Sequence, residues 1–332
     1  MIDTVRVAIL GMAHLHANSY IRCLIRHPNA QLIGIFDPEQ SRTLPHTKNN
    51  NIPYFNNCDD LLKLHPNFVI VCSENARHEE MIHTAAMAGV DVLCEKPLGI
   101  SKNGMEVMLR VCEENHVRLM TAFPNRYIHA FSEAVSSIQK GELGELLAIK
   151  ATNKGIMPGD WFVDPDLSGG GAMIDHTVHV ADLINWLVGQ APERVRAICD
   201  RRLFEDLKVD DVAIVNFIYS SGLFVTLDSS WSRVKGFPYD RDLTLHIVGT
   251  NGSIEIDYFA NSNKLYSRKN SQAEWRYYGD DKDYLMLSDL IDCYRTGRKF
   301  MIDGKAGYDS AMVAVAAYAS VKLGREVFLN EL

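Results

Sequence analysis

The feature that most constrains this chain is a rhythm in its first 123 residues. Short apolar runs, VRVAIL (5–10), AQLIGIFD (30–37), FVIVCS (68–73), DVLCEK (91–96) and VRLMTAF (117–123), alternate with stretches patterned for helices. Continuous apolar runs are what strands buried on both faces look like, and helices between them force the strands to run parallel. The pattern predicts an α/β, doubly wound parallel sheet. Its helices are expected from the glycine at 11 to about Arg26, over 78–89, and over 101–116 with Ser101 as N-cap.

The second half has a different texture. A helix is expected near 130–140, a strand over 146–155, and a helix in HTVHVADLINWLVG (176–189) terminated by Gly189. Strands near 193–200, 211–219, 223–231, 242–248 and 253–258 follow, with turns in YSSGLF and VGTNGSI, as in an antiparallel meander. Helical patterning returns over 282–296 and 305–323. This predicts a C-terminal α+β domain with a large, open, mostly antiparallel sheet. A length of 332 residues suits two domains, with the expected division into 1–123 and 124–332.

Composition excludes some classes. The formal net charge is −8 and no stripe rich in Lys and Arg occurs, which argues against a nucleic-acid partner. Seven cysteines, at 23, 58, 72, 94, 112, 199 and 293, include no C-x-x-C pair, so neither a disulfide framework nor a zinc ribbon is suggested. They read as small buried hydrophobes in a reducing compartment. No leader pattern precedes the first strand and no apolar run reaches the roughly 18 residues a bilayer requires. The expectation is a cytoplasmic protein with no membrane partner.

A strand ending in glycine, a helix start, then a strand ending in an acid is the layout of a dinucleotide-binding unit. The pyrophosphate lies on helix N-terminal amides, and the acid accepts from ribose hydroxyls. Here Gly11 and Asp37 hold those positions. The glycine code is altered, however: GMAHLH (11–16) places Ala13 and His16 where later glycines belong. An ordinary strand-to-helix turn is the competing reading, as is a turn role for Asp37 before Pro38. As a ribose acceptor Asp37 favours NAD over NADP, because a carboxylate repels a 2′-phosphate; nearby Arg42 softens that preference.

The segments VCSENARH (71–78), CEKPLG (94–99), WFVDPDLSGGGAMIDHTVH (161–179) and TLHIVGTNGSIEID (244–257) together resemble the glucose–fructose oxidoreductase / inositol dehydrogenase / MocA family over nearly the whole chain. The departure is the glycine loop, which is shortened and draws His14 and His16 close to Gly11. The resemblance implies an NAD(P)-dependent oxidoreductase acting on a carbinol carbon of a sugar, sugar derivative or cyclitol. It also implies a homodimer or homotetramer formed through the C-terminal sheet. By position, Gly11, Met12, Ala13, His14 and Asp37 would hold the cofactor, Ser73, Asn75 and His78 would line it, and Glu95, Lys96, Pro97 and Asn125 would reach its nicotinamide end.

Residues 169–182, GGGAMIDHTVHVAD, carry the densest chemistry. Residues four and seven apart share a helix face, so Asp175, His179 and Asp182 are expected to project together, with three glycines offering free amides. The favoured reading makes His179 the general base, Asp175 its partner in orienting the substrate hydroxyl, and Lys96 the stabiliser of the developing alkoxide. A metal bound by Asp175, His176 and His179 is a competing reading, but no third strong ligand is evident and none is expected. Structural polar residues at an interface are the other alternative. Arg126, Tyr127, Lys154, Trp161 and His176 are further candidates for substrate contact. Tyr127, Trp161 and Phe162 read equally as core, and Lys154 as a solvated sheet edge. Arg233, Lys235, Tyr239 and Arg241 form a basic loop that reads first as solvated charge. Two rivals to a dehydrogenase remain: an NAD-retaining enzyme that cleaves or rearranges glycosides, and a non-catalytic NAD-binding regulator.

Overall fold

The computed structural model describes residues 3–237, 242–260, 262–267, 272–277 and 279–332. The chain divides into two compact units. The first comprises Met1–Pro124, Asp160–Gly169 and Lys282–Met312; the second comprises Asn125–Gly159, Gly170–Asp281 and Val313–Leu332. The units are therefore not consecutive stretches of chain: two later segments fold with the first.

The first unit is built on six strands, β1 (Val5–Leu10), β2 (Ala30–Phe36), β3 (Tyr54–Phe55), β4 (Phe68–Val71), β5 (Asp91–Cys94) and β6 (Leu119–Thr121). All pair in parallel, in the order β3-β2-β1-β4-β5-β6. The order reverses between β1 and β4, which opens a crevice at the carboxyl ends of those two strands. Val7–Leu10 and all of β4 are buried, the physical origin of their uninterrupted apolar sequence. Helix α1 (His16–Arg26) buries Ala17, Tyr20, Ile21 and Leu24 on one face. Helices α2 (Leu44–Asn49), α3 (Cys58–Leu62), α4 (His78–Met87) and α5 (Lys102–Glu114) complete the wrapping. β3, α2 and α3 escaped the sequence reading because such short elements carry no measurable period.

The second unit opens with α6 (His129–Gln139) and β7 (Leu146–Ile156), and the chain then forms α7 (Pro165–Ser168) in the first unit before returning as α8 (Ala172–Val188). Strands β8 (Arg194–Asp200), β9 (Val212–Ile218), β10 (Phe224–Arg233), β11 (Asp242–Gly249) and β12 (Gly252–Asp257) follow. A separate antiparallel pair, β13 (Ser262–Ser267) and β14 (Gln272–Tyr277), was not foreseen. Helices α9 (Lys282–Thr296) and α10 (Gly304–Leu323) lead to β15 (Val327–Phe328). The large sheet runs β12-β11-β7-β10-β9-β8-β15, antiparallel throughout except for the parallel pair β7 and β10. Strict alternation marks one covered face: Ala213, Val215, Phe217, Val225 and Leu227 are buried, joining Met173, Val180, Leu183 and Ile184 of α8 in one core. The other face leaves Ile198, Ile214 and Phe224 exposed.

α8 begins at Ala172 rather than at the expected His176. All seven cysteines are unbridged. Among the described residues no helix is long and apolar enough to cross a membrane.

Candidate functional site

In the first unit the carboxyl ends of β1, β2, β4 and β5 gather the candidate cofactor residues. Gly11 has φ +86°, and a Cβ there would lie 2.6 Å from the Ser73 nitrogen and 2.7 Å from its Cα. Only glycine lets the loops after β1 and β4 meet this closely. The Met12 amide donates to Asp37 Oδ2 at 2.5 Å and the Glu39 amide to Oδ1 at 2.7 Å, so one buried carboxylate ties the end of β2 to the loop after β1. Burial pushes the Asp37 carboxyl above its usual range, against those hydrogen bonds and the Arg42 charge. Beside it opens a cavity of about 640 Å³ lined by Met12, Ala13, Glu39, Arg42, Asp160, Trp161, Asp164 and Leu167. A carboxylate ending the second strand, next to a cavity at the carboxyl ends of the switch-point strands, fits the ribose end of a dinucleotide. The Met12 amide is engaged by Asp37 and the His14 amide by the Cys72 carbonyl at 2.9 Å. Neither is a free donor of the kind a glycine-rich loop presents.

The shortened loop instead turns its histidines onto Glu95. His16 Nδ1 lies 3.1 Å from Glu95 Oε1, and His14 Nε2 lies 3.8 Å from Oε2. The Tyr20 hydroxyl also donates to Oε1, and the Lys96 amide to Oε2 at 3.0 Å. Burial pushes the Glu95 carboxyl up, but His14, His16 and Lys96 together outweigh it and hold the group well below the carboxylate range. His14, His16 and Glu95 place their ligand-type atoms within 4.8 Å of one another. Because Glu95 already accepts several donors and α1 starts at His16 with its positive dipole end, we read this cluster as a hydrogen-bonded network. His78, expected to line the cofactor, is instead fully buried, with Nδ1 3.0 Å from the Pro97 carbonyl and 3.3 Å from that of Leu98. It holds the backbone after Lys96 in place. Burial lowers its pKa, so it sits there as neutral imidazole. Ser73 and Asn75 are buried too, and Asn75 Nδ2 donates to the Ser168 carbonyl at 2.8 Å.

In the second unit α8 is buried on every side from Ala172 to Ile184 except at Asp175 and His179, one turn apart. The indole of Trp231 donates to Asp175 Oδ2 at 3.2 Å, and His176 Nε2 lies 3.3 Å from the same oxygen. Asp175 is thereby aimed by two rings. The His176 ring packs on Gly155, where a Cβ would meet it at 2.9 Å, so His176 orients Asp175. Asp182 does not join the expected polar face; it is buried in a bidentate pair with Arg126, at 2.9 and 2.6 Å.

The glycines of 169–171 do not present free amides. A Cβ on Gly171 would lie 1.9 Å from the Asp210 carbonyl oxygen, and one on Gly170 would lie 2.1 Å from the Tyr318 hydroxyl. Asp210 occupies the helix start: its carboxylate accepts from Gly171 N at 3.2 Å, Met173 N at 2.7 Å and the Tyr318 hydroxyl at 2.6 Å. Asp210 and Tyr318 are the residues that sequence reasoning missed. They lie 37 and 145 positions beyond Met173 (210 − 173 and 318 − 173), too far for any local pattern to reveal them.

Of the other candidates, Arg126 has its guanidinium committed to Asp182 and lies over the Trp186 ring, 5.4 Å from its centroid, which makes it a buried structural cation. Lys154 pairs with Asp228 at 3.0 Å. Trp161 belongs to the first unit, where its indole donates to the Ala13 carbonyl at 3.0 Å and stacks on Phe162 at 3.9 Å, so it buttresses the loop after β1. Asn125 is buried and Tyr127 half-buried in the short turn Pro124–Tyr127. In the basic loop Arg233 pairs with Asp242, Lys235 is exposed, and Tyr239 and Arg241 lie outside the described residues.

Comparison with known proteins finds two family matches along the chain. Residues 5–123 match GFO_IDH_MocA, an oxidoreductase family with an NAD-binding Rossmann fold, and residues 131–255 match the GFO/IDH/MocA C-terminal domain. The chain is 26% identical over 275 residues to myo-inositol 2-dehydrogenase of Thermotoga maritima, covering 80% of each. It is 28% identical over 267 residues to 2,7-anhydro-N-acetylneuraminate hydratase of Mediterraneibacter gnavus, covering 76% of this chain and 67% of the other. In fold it is similar to the crystal structure of GenD2 from gentamicin A biosynthesis in complex with NAD, with a TM-score of 0.89, 23% identity, and coverage of 99% and 97%.

Two outcomes are expected. Replacing Asp210 by Ala strands the Met173 amide and the Tyr318 hydroxyl proton, leaving the Gly171 amide only its bond to Tyr318, and should cost about 2–3 kcal/mol of stability, lowering the melting midpoint. Asp200→Ala on the surface should change it by less than about 0.5 kcal/mol. For His78 the folded pKa is depressed, so its contribution is present above the unfolded value near 6.5 and is lost as pH falls below it. Denaturant unfolding of wild type and His78→Gln should show the wild-type advantage shrinking from pH 7.5 to pH 5.5; an advantage independent of pH refutes a neutral buried imidazole.

Proposed function

This chain belongs to the GFO/IDH/MocA oxidoreductase family, and from that premise we propose that it oxidises or reduces a carbinol carbon of a cyclitol or sugar with NAD. One observation carries the assignment of the reacting groups: over Ala172–Ile184 the helix is buried except at an Asp and a His one turn apart, both partly exposed. His179 takes the proton of the substrate hydroxyl, a task suited to an imidazole. Asp175, held by Trp231 and His176, accepts from the same or a neighbouring hydroxyl and fixes the sugar's orientation. Lys96, placed after β5 by the His78-anchored backbone, stabilises negative charge developing on the oxygen. Bound NAD supplies the hydride acceptor; Asp37 and the loop after Gly11 would hold its adenosine half, with Ser73, Asn75, Glu95, Pro97 and Asn125 toward the other end. The unbridged thiols fit a protein of the cytoplasm.

A second reading takes its cue from the relative named as a hydratase: with NAD retained between turnovers, the same residues would serve cleavage of, or addition to, a sugar bond with no net redox change. The two differ in net NADH. Incubation with inositols and aldoses should accumulate NADH in proportion to product under the first reading and none under the second.

Lys96→Ala and His179→Ala should each lower turnover by about 10²–10⁴-fold while NAD affinity, measured by calorimetry, stays within a few-fold. Full turnover in both variants removes these residues from the mechanism. We also propose that two copies pair through the open face of the large sheet, where Ile198 lies opposite Ile214 and Ile218 opposite Phe224 in register. Ile214→Asp should then convert an oligomer to monomer in light scattering after gel filtration; a monomeric wild type excludes the pairing.

A further inference from the structure

The segment after β2 contains a specificity device that the dinucleotide layout alone does not supply. Among the described residues Arg42 is the only cation lining the cavity of about 640 Å³ beside Asp37. An arginine there is the group that pairs with a 2′-phosphate in NADP-binding Rossmann units. In this chain two of its three guanidinium nitrogens face acids. Arg42 Nη1 donates to Glu74 Oε1 at 2.9 Å, the same nitrogen lies 3.8 Å from Asp37 Oδ1, and Arg42 Nε lies 3.2 Å from Glu39 Oε2. Glu74 is buried, in the loop after β4, and Arg77 Nε lies 3.7 Å from its other oxygen. With Arg77 counted, two guanidiniums face three carboxylates, which leaves the neighbourhood net negative.

We propose that Glu74 is a specificity-determining residue: by holding Arg42 it withholds this cation of the cavity wall from a 2′-phosphate and so reinforces the exclusion of NADP. This rests on the cofactor reading above. Asp37 excludes the phosphate by direct repulsion, and Glu74 acts one residue removed, through the arginine. Glu39, exposed at the cavity rim, assists from the other side. Because Arg42 is already in place, the route to NADP use needs the removal of a charge rather than the introduction of one.

Calorimetry of NAD and NADP binding to the full chain, without substrate, tests the idea at physiological salt. Glu74→Gln keeps the side chain's size and removes its charge; NADP should bind at least about tenfold tighter while NAD changes by less than about threefold. The double variant Glu74→Gln/Arg42→Ala should lose the gain, since the phosphate then has no guanidinium to meet. Asp59→Asn, an exposed acid elsewhere on the first unit, should leave both affinities unchanged. If Glu74→Gln fails to fold, Glu39→Gln reads the same effect at smaller amplitude. Unchanged NADP affinity in the Gln variants overturns the proposal, as does an equal gain with Asp59→Asn or a gain that survives loss of Arg42. A wild type that binds no NAD overturns the cofactor reading itself.

Discussion

Buried carboxylates that accept backbone amides are the interaction on which both candidate regions depend. Asp37 takes the amides of Met12 and Glu39, Asp210 those of Gly171 and Met173, and Asp211 those of Arg202, Leu203 and Phe204. An ionised acceptor makes stronger and shorter hydrogen bonds than a neutral one, and a buried amide left without a partner is costly. Each carboxylate therefore fixes the path of a loop that has no regular ladder to fix it. Glu95 follows the same logic with side chains, collecting Tyr20 and His16 with its own neighbour's amide.

The consequence in the second unit is a chain of support that ends at Asp175. The Asp211 carbonyl accepts from the Trp231 amide, and the Trp231 indole in turn donates to Asp175. Asp210 starts α8 at Ala172, a full turn earlier than its apolar pattern suggests, which places Asp175 in the first turn where the helix dipole favours a carboxylate. Asp175, partly exposed in a largely buried helix, is thus held by Trp231 and His176. In the first unit the same economy appears where His78 holds the backbone that carries Lys96.

The shortened glycine loop shows how one structural need can be met by different residues. Gly11 is required because the protein's own Ser73 backbone approaches it, whatever ligand the loop serves. The positions that the common glycine code would leave bare hold Ala13 and His16; His16 faces Glu95, while the neighbouring His14 packs against Trp161 and Phe162. That arrangement keeps the loop close to the sheet by charge and ring packing rather than by the absence of side chains.

What the amino-acid sequence determined by itself was the local order: strands buried on both faces show as apolar runs, half-buried strands as alternation, and helix ends as Ser101 and Gly189. Those signals span a few residues, so they survive without knowledge of the fold, and they suffice for the parallel sheet, the open second sheet and the candidates Asp37, Asp175 and His179. The tertiary structure alone decided which candidates are supports. Arg126 went to Asp182, His78 to a backbone carbonyl, Trp161 to the loop after β1, and the glycines at 170 and 171 to Tyr318 and Asp210. Partners such as these lie tens to more than a hundred residues apart, and a charge or a close contact at that separation leaves no periodic trace in the chain. It exists only once packing has brought the two segments together.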